Sequence, residues 1–330
     1  MIDNTYIIPT SSHPELAKEV SNISNIPILD VEISHFANTE IRTSISHSVR
    51  GKHIYILSSP NDDGVHSIND HIMETYLLIK TCKRSDSASI TLICPCYPYA
   101  RQDKKDNSRV CISAKDVADL FVTGGINRIV CFDLHSHQIQ GFFNIPCDNF
   151  YCVNLIRNHL IVNYNINESK TNNDFVIVAP DEGALKRVQQ YANKFNMPFM
   201  VVSKERDYSK LNTVNRAILI GDHQLIKNRT AIIIDDMADT CGTIMKVSEM
   251  LMAKGAKDII VVVTHGILSN NAIMSINKAE YIKEFIVSDS LPQNENTSQC
   301  SKLSVYSIVP LIVECIKRLN NGDSLSAIFE

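Results

Sequence analysis

The sequence predicts an α/β protein with mostly parallel, doubly wound sheets. Three observations carry that prediction. Short apolar runs recur along the chain of 330 residues. Amphipathic stretches separate them, and alternation of strand with helix is the rhythm of that fold class. Within most runs successive positions are apolar, as in strands buried on both faces by helices.

In chain order, the predicted strands are Ile54 to Leu57, Ile90 to Ile93, Ile129 to Phe132, Phe175 to Val178, Phe199 to Val202, Ala231 to Ile234, Ile259 to Val263 and Phe285 to Val287. Helical spacing of apolar residues marks Ile68 to Lys83, Ala114 to Thr123, Ala184 to Phe195, Ile244 to Lys254 and Ile308 to Leu319. The length suits two domains, each with its own core. Asn163 to Asp174, the most polar stretch of its length, reads as a surface loop close to their junction. Ser288 to Ser301 reads as a second surface loop, before a last strand and helix.

Apolar residues make up 44% of the chain and charged residues 21%, the balance of a folded globular protein. A net charge of −4 gives no basic footprint for nucleic acid or an anionic membrane. The ten cysteines contain no CxxC pair and mostly sit in apolar runs, so they read as reduced core thiols. The start lacks the basic and apolar regions of a signal peptide, and no apolar run reaches the ~18 residues of a membrane helix. A cytoplasmic location is expected.

The segment Ala231 to Thr243 holds the strongest motif, AIIIDDMADTCGT. An apolar strand ends in Asp235 and Asp236, a small-residue loop follows, and then a helix. Backbone N–H groups at that helix start, with the Thr240 and Thr243 hydroxyls, suit a phosphate dianion. Gly242 lets backbone approach it closely. The two carboxylates repel phosphate and suit ribose hydroxyls or a metal. An ordinary strand end with an N-cap is the plain alternative, and a Walker B strand is another. No GxxxxGK[ST] loop accompanies it, and no GxGxxG exists.

Four weaker segments follow. In Asp133 to Phe143 (DLHSHQIQGFF), an extended chain would turn Asp133, His135 and His137 to one side, where a carboxylate and an imidazole can hold Mg²⁺. In Tyr99 to Arg109 (YARQDKKDNSR), Arg and Lys can chelate polyphosphate, and Gln and Asp can read a base or ribose. Lys204 and Arg206, after the strand from Phe199, could stabilise a transferring phosphoryl group. Phe36 to Glu40 (FANTE) offers an aromatic face and polar groups for an adenine. Each alone is more often a solvated loop or a hydrogen-bonded strand end.

Taken together and in this order, the five segments resemble the ribose-phosphate diphosphokinases, in the phosphate-activated form of bacteria and animals, over Ser11 to Phe329. ARQDKKD, HQIQGFF, KER and DDMADTCGT are close to the animal enzymes. The resemblance implies two phosphoribosyltransferase-like domains, 1–155 and 156–330, each a mostly parallel sheet flanked by helices, with the last residues returning to the first domain. It implies Mg²⁺-dependent transfer of a diphosphoryl group from ATP to ribose 5-phosphate. The ATP site maps to Phe36, Asn38 and Glu40 of one subunit and to Arg101, Gln102, Asp103, Lys104, Lys105 and Asp106 of a neighbour. The metal site maps to Asp133, His135 and Asp148, and catalysis to Lys204, Arg206 and His135. Ribose 5-phosphate maps to Asp181, Asp235, Asp236, Asp239, Thr240, Cys241, Gly242 and Thr243. The implied assembly is a homo-oligomer, a dimer-based hexamer, with phosphate and ADP as effectors.

The sequence departs from the family in three places. Asn144 stands where an acidic residue is usual, and His137 replaces a small residue near the regulatory phosphate site. In Ala179 to Ala184 (APDEGA), Glu182 replaces a small residue and Ala184 a glycine. A left-handed backbone at Ala184 would cost about 1 kcal/mol, so weakened use of ribose 5-phosphate is expected. Two rivals are a non-catalytic, synthetase-associated regulatory subunit and a phosphoribosyltransferase. Retention of Lys204 and Arg206 argues against the first, and the Arg101-Gln102-Asp103 segment against the second.

Overall fold

The computed structural model describes residues 4–166, 174–206 and 214–328, with backbone alone for 204–206 and 214–217. The chain divides into two compact units, Met1–Cys152 with Ser307–Glu330, and Val153–Tyr306.

The first unit runs β1 (Thr5–Pro9), α1 (Pro14–Ser24), β2 (Val31–His35), β3 (Ile41–Ile45), β4 (His53–Leu57), α2 (Ile68–Arg84), β5 (Ser89–Ile93), α3 (Ser113–Gly124), β6 (Arg128–Phe132) and β7 (Cys147–Phe150). Strands β1, β4, β5, β6 and β7 form one parallel sheet in that order. The apolar runs read from the sequence are its buried centre, with Ile54, Ile56, Leu92, Ile93, Val130 and Phe132 at 2% exposure or less. Helix α2 starts where Ser67 and Asp70 cap each other, and Lys83 and Arg84 close it where the helix dipole favours cations. Helix α3 stops at Gly125, whose φ of 116° is open to glycine. Strands β2 and β3 form a separate antiparallel hairpin, paired from Val31–Ile45 to His35–Ile41. Its alternating, partly polar residues gave no strand signal.

The second unit runs α4 (Val153–Tyr164), β8 (Phe175–Ala179), α5 (Leu185–Phe195), β9 (Phe199–Arg206), β10 (Val214–Ile220), β11 (Thr230–Ala238), α6 (Gly242–Ala253), β12 (Asp258–Gly266), α7 (Ala272–Lys278), β13 (Ile282–Ser288), α8 (Asn294–Gln299) and β14 (Leu303–Tyr306). Its sheet has the order β10-β9-β8-β11-β12-β13-β14, and only β10 is antiparallel to its neighbour. From β8 the chain builds outward to β9, then returns to β11 on the other side and builds the opposite way. The switch point therefore lies between β8 and β11, where open α/β sheets bind ligands at the carboxyl ends of their strands. Helix α9 (Val309–Asn321) then belongs to the first unit and packs on α1. There the Tyr55 hydroxyl of β4 donates to Asn320 Oδ1 at 2.9 Å.

Two expectations about loops change. The polar stretch Asn163 to Asp174 lies inside the second unit, between α4 and β8, and the division falls earlier, after Cys152. Ser288 to Ser301 is not a plain surface loop. It contains α8, and it buries Ser288, Ser290 and Gln293, which donate to the Thr264 and Gly266 carbonyls. Polar composition misled there because these side chains satisfy the end of β12. None of the ten cysteines is in a disulfide, and Cys111 alone is exposed.

Candidate active site

Three acidic residues of the second unit meet at the switch point. Strand β11 carries Asp235 and Asp236 at its carboxyl end, and Asp181 follows β8 beside it. The first turns of α5 bring Arg187 to both, with Nη1 at 3.6 Å from Asp235 Oδ1 and 3.5 Å from Asp236 Oδ1. Asp236 N–H also donates to Asp235 Oδ1 at 2.9 Å. Burial, then the neighbouring Asp236 carboxylate, push the Asp235 carboxyl well above the usual carboxylate range. Arg187 opposes the shift and Asp181 adds to it. A pair held in this strained ionisation favours hydroxyl donors or a cation in front of it.

Beyond Asp236 the chain passes Asp239 and Thr240 and enters α6 at Gly242. Cys241, not Gly242, takes the left-handed conformation, at φ 61°. No side chain caps this helix start, so its first-turn N–H groups are offered to an anion. Gly242 and Thr243 are exposed there, and a Cβ built on Gly242 would meet only Thr240 Oγ1, at 3.8 Å. Asp239 through Thr243 thus form a cradle of backbone donors and hydroxyls.

The loop after β8 differs from the expectation. Ala184 has φ −81° and ψ −6°, is buried, and pays no left-handed penalty. Asp181 Oδ1 accepts from Gly183 N at 3.0 Å and Ala184 N at 3.3 Å, which closes the turn in a conformation any residue can adopt. Glu182 is turned to Ser203, whose hydroxyl donates to its carboxylate at 2.7 Å.

In the first unit, adjacent strands β5 and β6 end beside each other, and their loops carry two predicted segments. Asp133, at φ 39°, is 3% exposed, and Cys152 N–H donates to its Oδ2 at 2.9 Å. Leu134 N–H donates to Asn149 Oδ1 at 3.0 Å, while the buried Asn149 Nδ2 has no partner. His135 follows, exposed. The chain is not extended here. His137 opens a 3-10 turn to Phe142 and meets the Tyr151 hydroxyl at 2.8 Å, so it does not line up with Asp133 and His135. Asp148 also falls elsewhere. It lies within β7 opposite Val130 and pairs with Arg128, which opens β6, whereas Asp133 follows the end of β6. Its carboxylate has the Arg128 guanidinium as its ion-pair partner.

Arg101 to Asp106 lie in the exposed loop after β5. There Gln102 Oε1 accepts from the Ser113 hydroxyl at 2.6 Å. Phe36, Asn38 and Glu40 form the tip of the β2–β3 hairpin. Phe36 N–H donates to the Glu40 carbonyl at 2.9 Å, and its ring is 54% exposed. Lys204 and Arg206 end β9, and their side chains lie outside the described residues.

Comparison with known proteins fits this geometry. A family model for the N-terminal domain of ribose phosphate pyrophosphokinase matches residues 5–125, and one for a phosphoribosyl synthetase-associated domain matches residues 217–330. Ribose-phosphate pyrophosphokinase 2 of Schizosaccharomyces pombe is 40% identical over 323 residues, spanning 98% of this chain and 96% of its own. The chain belongs to the ribose-phosphate pyrophosphokinase family. The phosphoribosylpyrophosphate synthetase of Mycobacterium smegmatis superposes with a TM-score of 0.87 at 34% identity, over 97% of this chain and all of that one. The fold is thus α/β, with two mostly parallel, phosphoribosyltransferase-like sheets flanked by helices. Among the described residues no helix is long and apolar enough to cross a membrane.

Sequence reading missed two residues of these candidate sites. Arg187 sits in the first turns of a helix, where an exposed cation is the ordinary reading. Asn149 sits in a short strand that gave no signal. Both matter through partners far along the chain, so only an arginine soon after Asp181 could have hinted at the first.

Proposed function

We infer that the chain is a ribose-phosphate diphosphokinase of the EC 2.7.6.1 type, converting ATP and ribose 5-phosphate into AMP and 5-phosphoribosyl 1-diphosphate. The observation that carries this reading is the Asp235–Asp236–Arg187 cluster beside the uncapped start of α6. The 5-phosphate accepts from the backbone N–H groups and hydroxyls of Asp239 to Thr243. Asp235 and Asp236 accept from the ribose hydroxyls and fix the ring. The C1 hydroxyl oxygen attacks the β-phosphorus, the α–β bridging bond breaks, and AMP leaves with the bridging oxygen while the C1 hydroxyl loses its proton.

The remaining roles are part of the proposal. Phe36 stacks on the adenine, with Asn38 and Glu40 at its edge. Arg101 to Asp106 of a neighbouring subunit hold the nucleotide, so the active form is a homo-oligomer, proposed as a dimer-based hexamer in the cytoplasm. Lys204 and Arg206 act on the transferred group. Mg²⁺ fits the donor set. Asp133 is a strand-end carboxylate with His135 close behind, and a hard ion needs few protein ligands. In the second unit, Asp235 and Asp236 share one guanidinium and the Asp181 charge acts on Asp235 as well, an excess of negative charge that a divalent ion offsets. Asp133 and His135 would hold the ion, which when bound neutralises polyphosphate charge.

Membership in the phosphate-activated class rests on Arg50 and Ser324 to Phe329, which resemble parts of that class's regulatory site, and kinship to the animal enzymes on ARQDKKD, HQIQGFF, KER and DDMADTCGT; Phe329 lies outside the described residues. Arg50 is exposed and lies 3.9 Å from Asp86. The deciding experiment follows AMP release from ATP and ribose 5-phosphate during a Mg²⁺ titration. Folded protein that binds both substrates and releases no AMP would move the chain to the regulatory-subunit reading. A fully active monomer by light scattering would refute the shared nucleotide site.

A further inference from the structure

The loop from β4 to α2 holds a cluster that the pyrophosphokinase reading does not use. Among the described residues, Asp63, His66 and His71 form a group whose ligand atoms all lie within 4.8 Å of one another. Asp63 Oδ2 stands at its centre, 3.2 Å from His66 Nδ1 and 3.5 Å from His71 Nε2. Bonds of about 2.0–2.1 Å around a tetrahedral ion put neighbouring ligand atoms about 3.3 Å apart. Both contacts fall at that spacing.

We propose that Asp63, His66 and His71 form a binding site for one borderline divalent cation of the zinc class.

Local structure prepares each ligand. The Val65 and His66 N–H groups donate to Asp63 Oδ1 at 2.8 and 2.6 Å, which turns Oδ2 toward the two imidazoles. Burial works against ionising this carboxyl, but those N–H groups and the His66 ring outweigh it and hold the carboxyl below its ordinary value. His71, in the first turn of α2, is fully buried. Its Nδ1 lies 2.8 Å from the Asn61 carbonyl, the shorter of its two contacts with that residue, and so carries the proton. Its Nε2 is left as a lone pair, and this buried atom has no hydrogen-bond partner although Asp63 Oδ2 is 3.5 Å away. A carbonyl behind a histidine fixes the ligating tautomer in metal sites. The unsatisfied Nε2 is a second sign that the cluster was shaped around something between its members. His66 also stacks on His35, with ring centroids 5.1 Å apart, beside the tip of the β2–β3 hairpin.

Two imidazoles with one carboxylate suit zinc, cobalt or nickel better than magnesium, which prefers an all-oxygen octahedron. That difference separates this site from the active site. The full-length protein is stripped with chelator, returned to excess Mg²⁺ to saturate hard-ion sites, and titrated with Co²⁺ while visible absorption is followed. The expected result is one Co²⁺ per chain with the intense bands of a four- or five-coordinate ion, displaced by Zn²⁺. His66→Gln and Asp63→Asn, both on the partly exposed side of the cluster, should each weaken Co²⁺ binding at least 100-fold while circular dichroism stays unchanged. A melting temperature that rises with Zn²⁺ in the parent and not in the folded variants would support the same site. No Co²⁺ bound in excess Mg²⁺, or equal binding by the parent and both folded variants, would overturn the proposal and leave a hydrogen-bonded His–Asp cluster.

Discussion

Replacing Arg187 with glutamine should expose how the proposed ribose-phosphate site tolerates two adjoining carboxylates. Arg187 is 15% exposed in its side chain, Asp235 19% and Asp236 5%, so the pairing is largely shielded from water. At 3.5–3.6 Å and an effective dielectric of about 20, each carboxylate gains ~4–5 kcal/mol of attraction. Desolvation returns much of this, and breaking such a pair by removing one partner costs roughly 3–5 kcal/mol. Taking the lower figure, R187Q should lose ~6–12 °C in Tm near neutral pH. The sign with pH follows from Asp235, whose carboxyl is raised in the folded state. Below its ordinary value both folded and unfolded chains are protonated there. As pH rises through the folded value, the native site must ionise against burial and Asp236, and stability falls. Without Arg187 the folded value rises further, so the fall extends to higher pH. Melting curves should therefore diverge from the parent as pH rises above the ordinary carboxylate range, and R187Q/D235N should recover much of the loss. The acid limb of kcat/KM for ribose 5-phosphate should also move to higher pH in R187Q. A loss independent of pH, or no loss, would show that Arg187 merely packs and that the carboxylates are stabilised elsewhere.

Three shorter predictions accompany it. Lys204→Ala should lower kcat by roughly 10²-fold with little change in KM, and a near-normal kcat would remove this lysine from the mechanism. Because Ala184 is right-handed and Glu182 is turned to Ser203, E182A/A184G should leave the KM for ribose 5-phosphate unchanged and cost ~0.5–1 kcal/mol of stability in urea. A several-fold drop in KM would restore the view that this loop is strained against substrate. Glu284 is half-buried, which opposes its ionisation, yet hydrogen bonds from His159, Ser304 and Tyr164 hold its carboxyl down to about 2. Its contribution is present above 4.5 and lost as pH falls through about 2, so E284Q should cost roughly 2–3 kcal/mol at neutral pH and converge with the parent in acid. Parallel melting curves down to the lowest pH would contradict this.

What the sequence by itself determined is what neighbours in the chain control. The run Ala231 to Ile234, the acidic pair and the Asp239–Thr243 loop form one strand–turn–helix, so their order already contained the proposed phosphate cradle. The two-sided burial of β4, β5, β6, β8 and β12 was legible for the same reason, since an unbroken apolar run has few other uses. Tertiary structure decided what depends on partners distant in sequence. The order of strands put Asp181 beside Asp235 and brought Arg187 to the pair. The pairing of β6 with β7 put Asp148 beside Arg128. The conformation of Ala184 followed from hydrogen bonds to Asp181, and no substitution pattern reveals a backbone angle. Ionisation at Asp235, and convergence of His71 on Asp63, are sums over neighbours that exist only after folding. A one-dimensional reading names the charged groups, but the distances that set their energies are properties of the sheet.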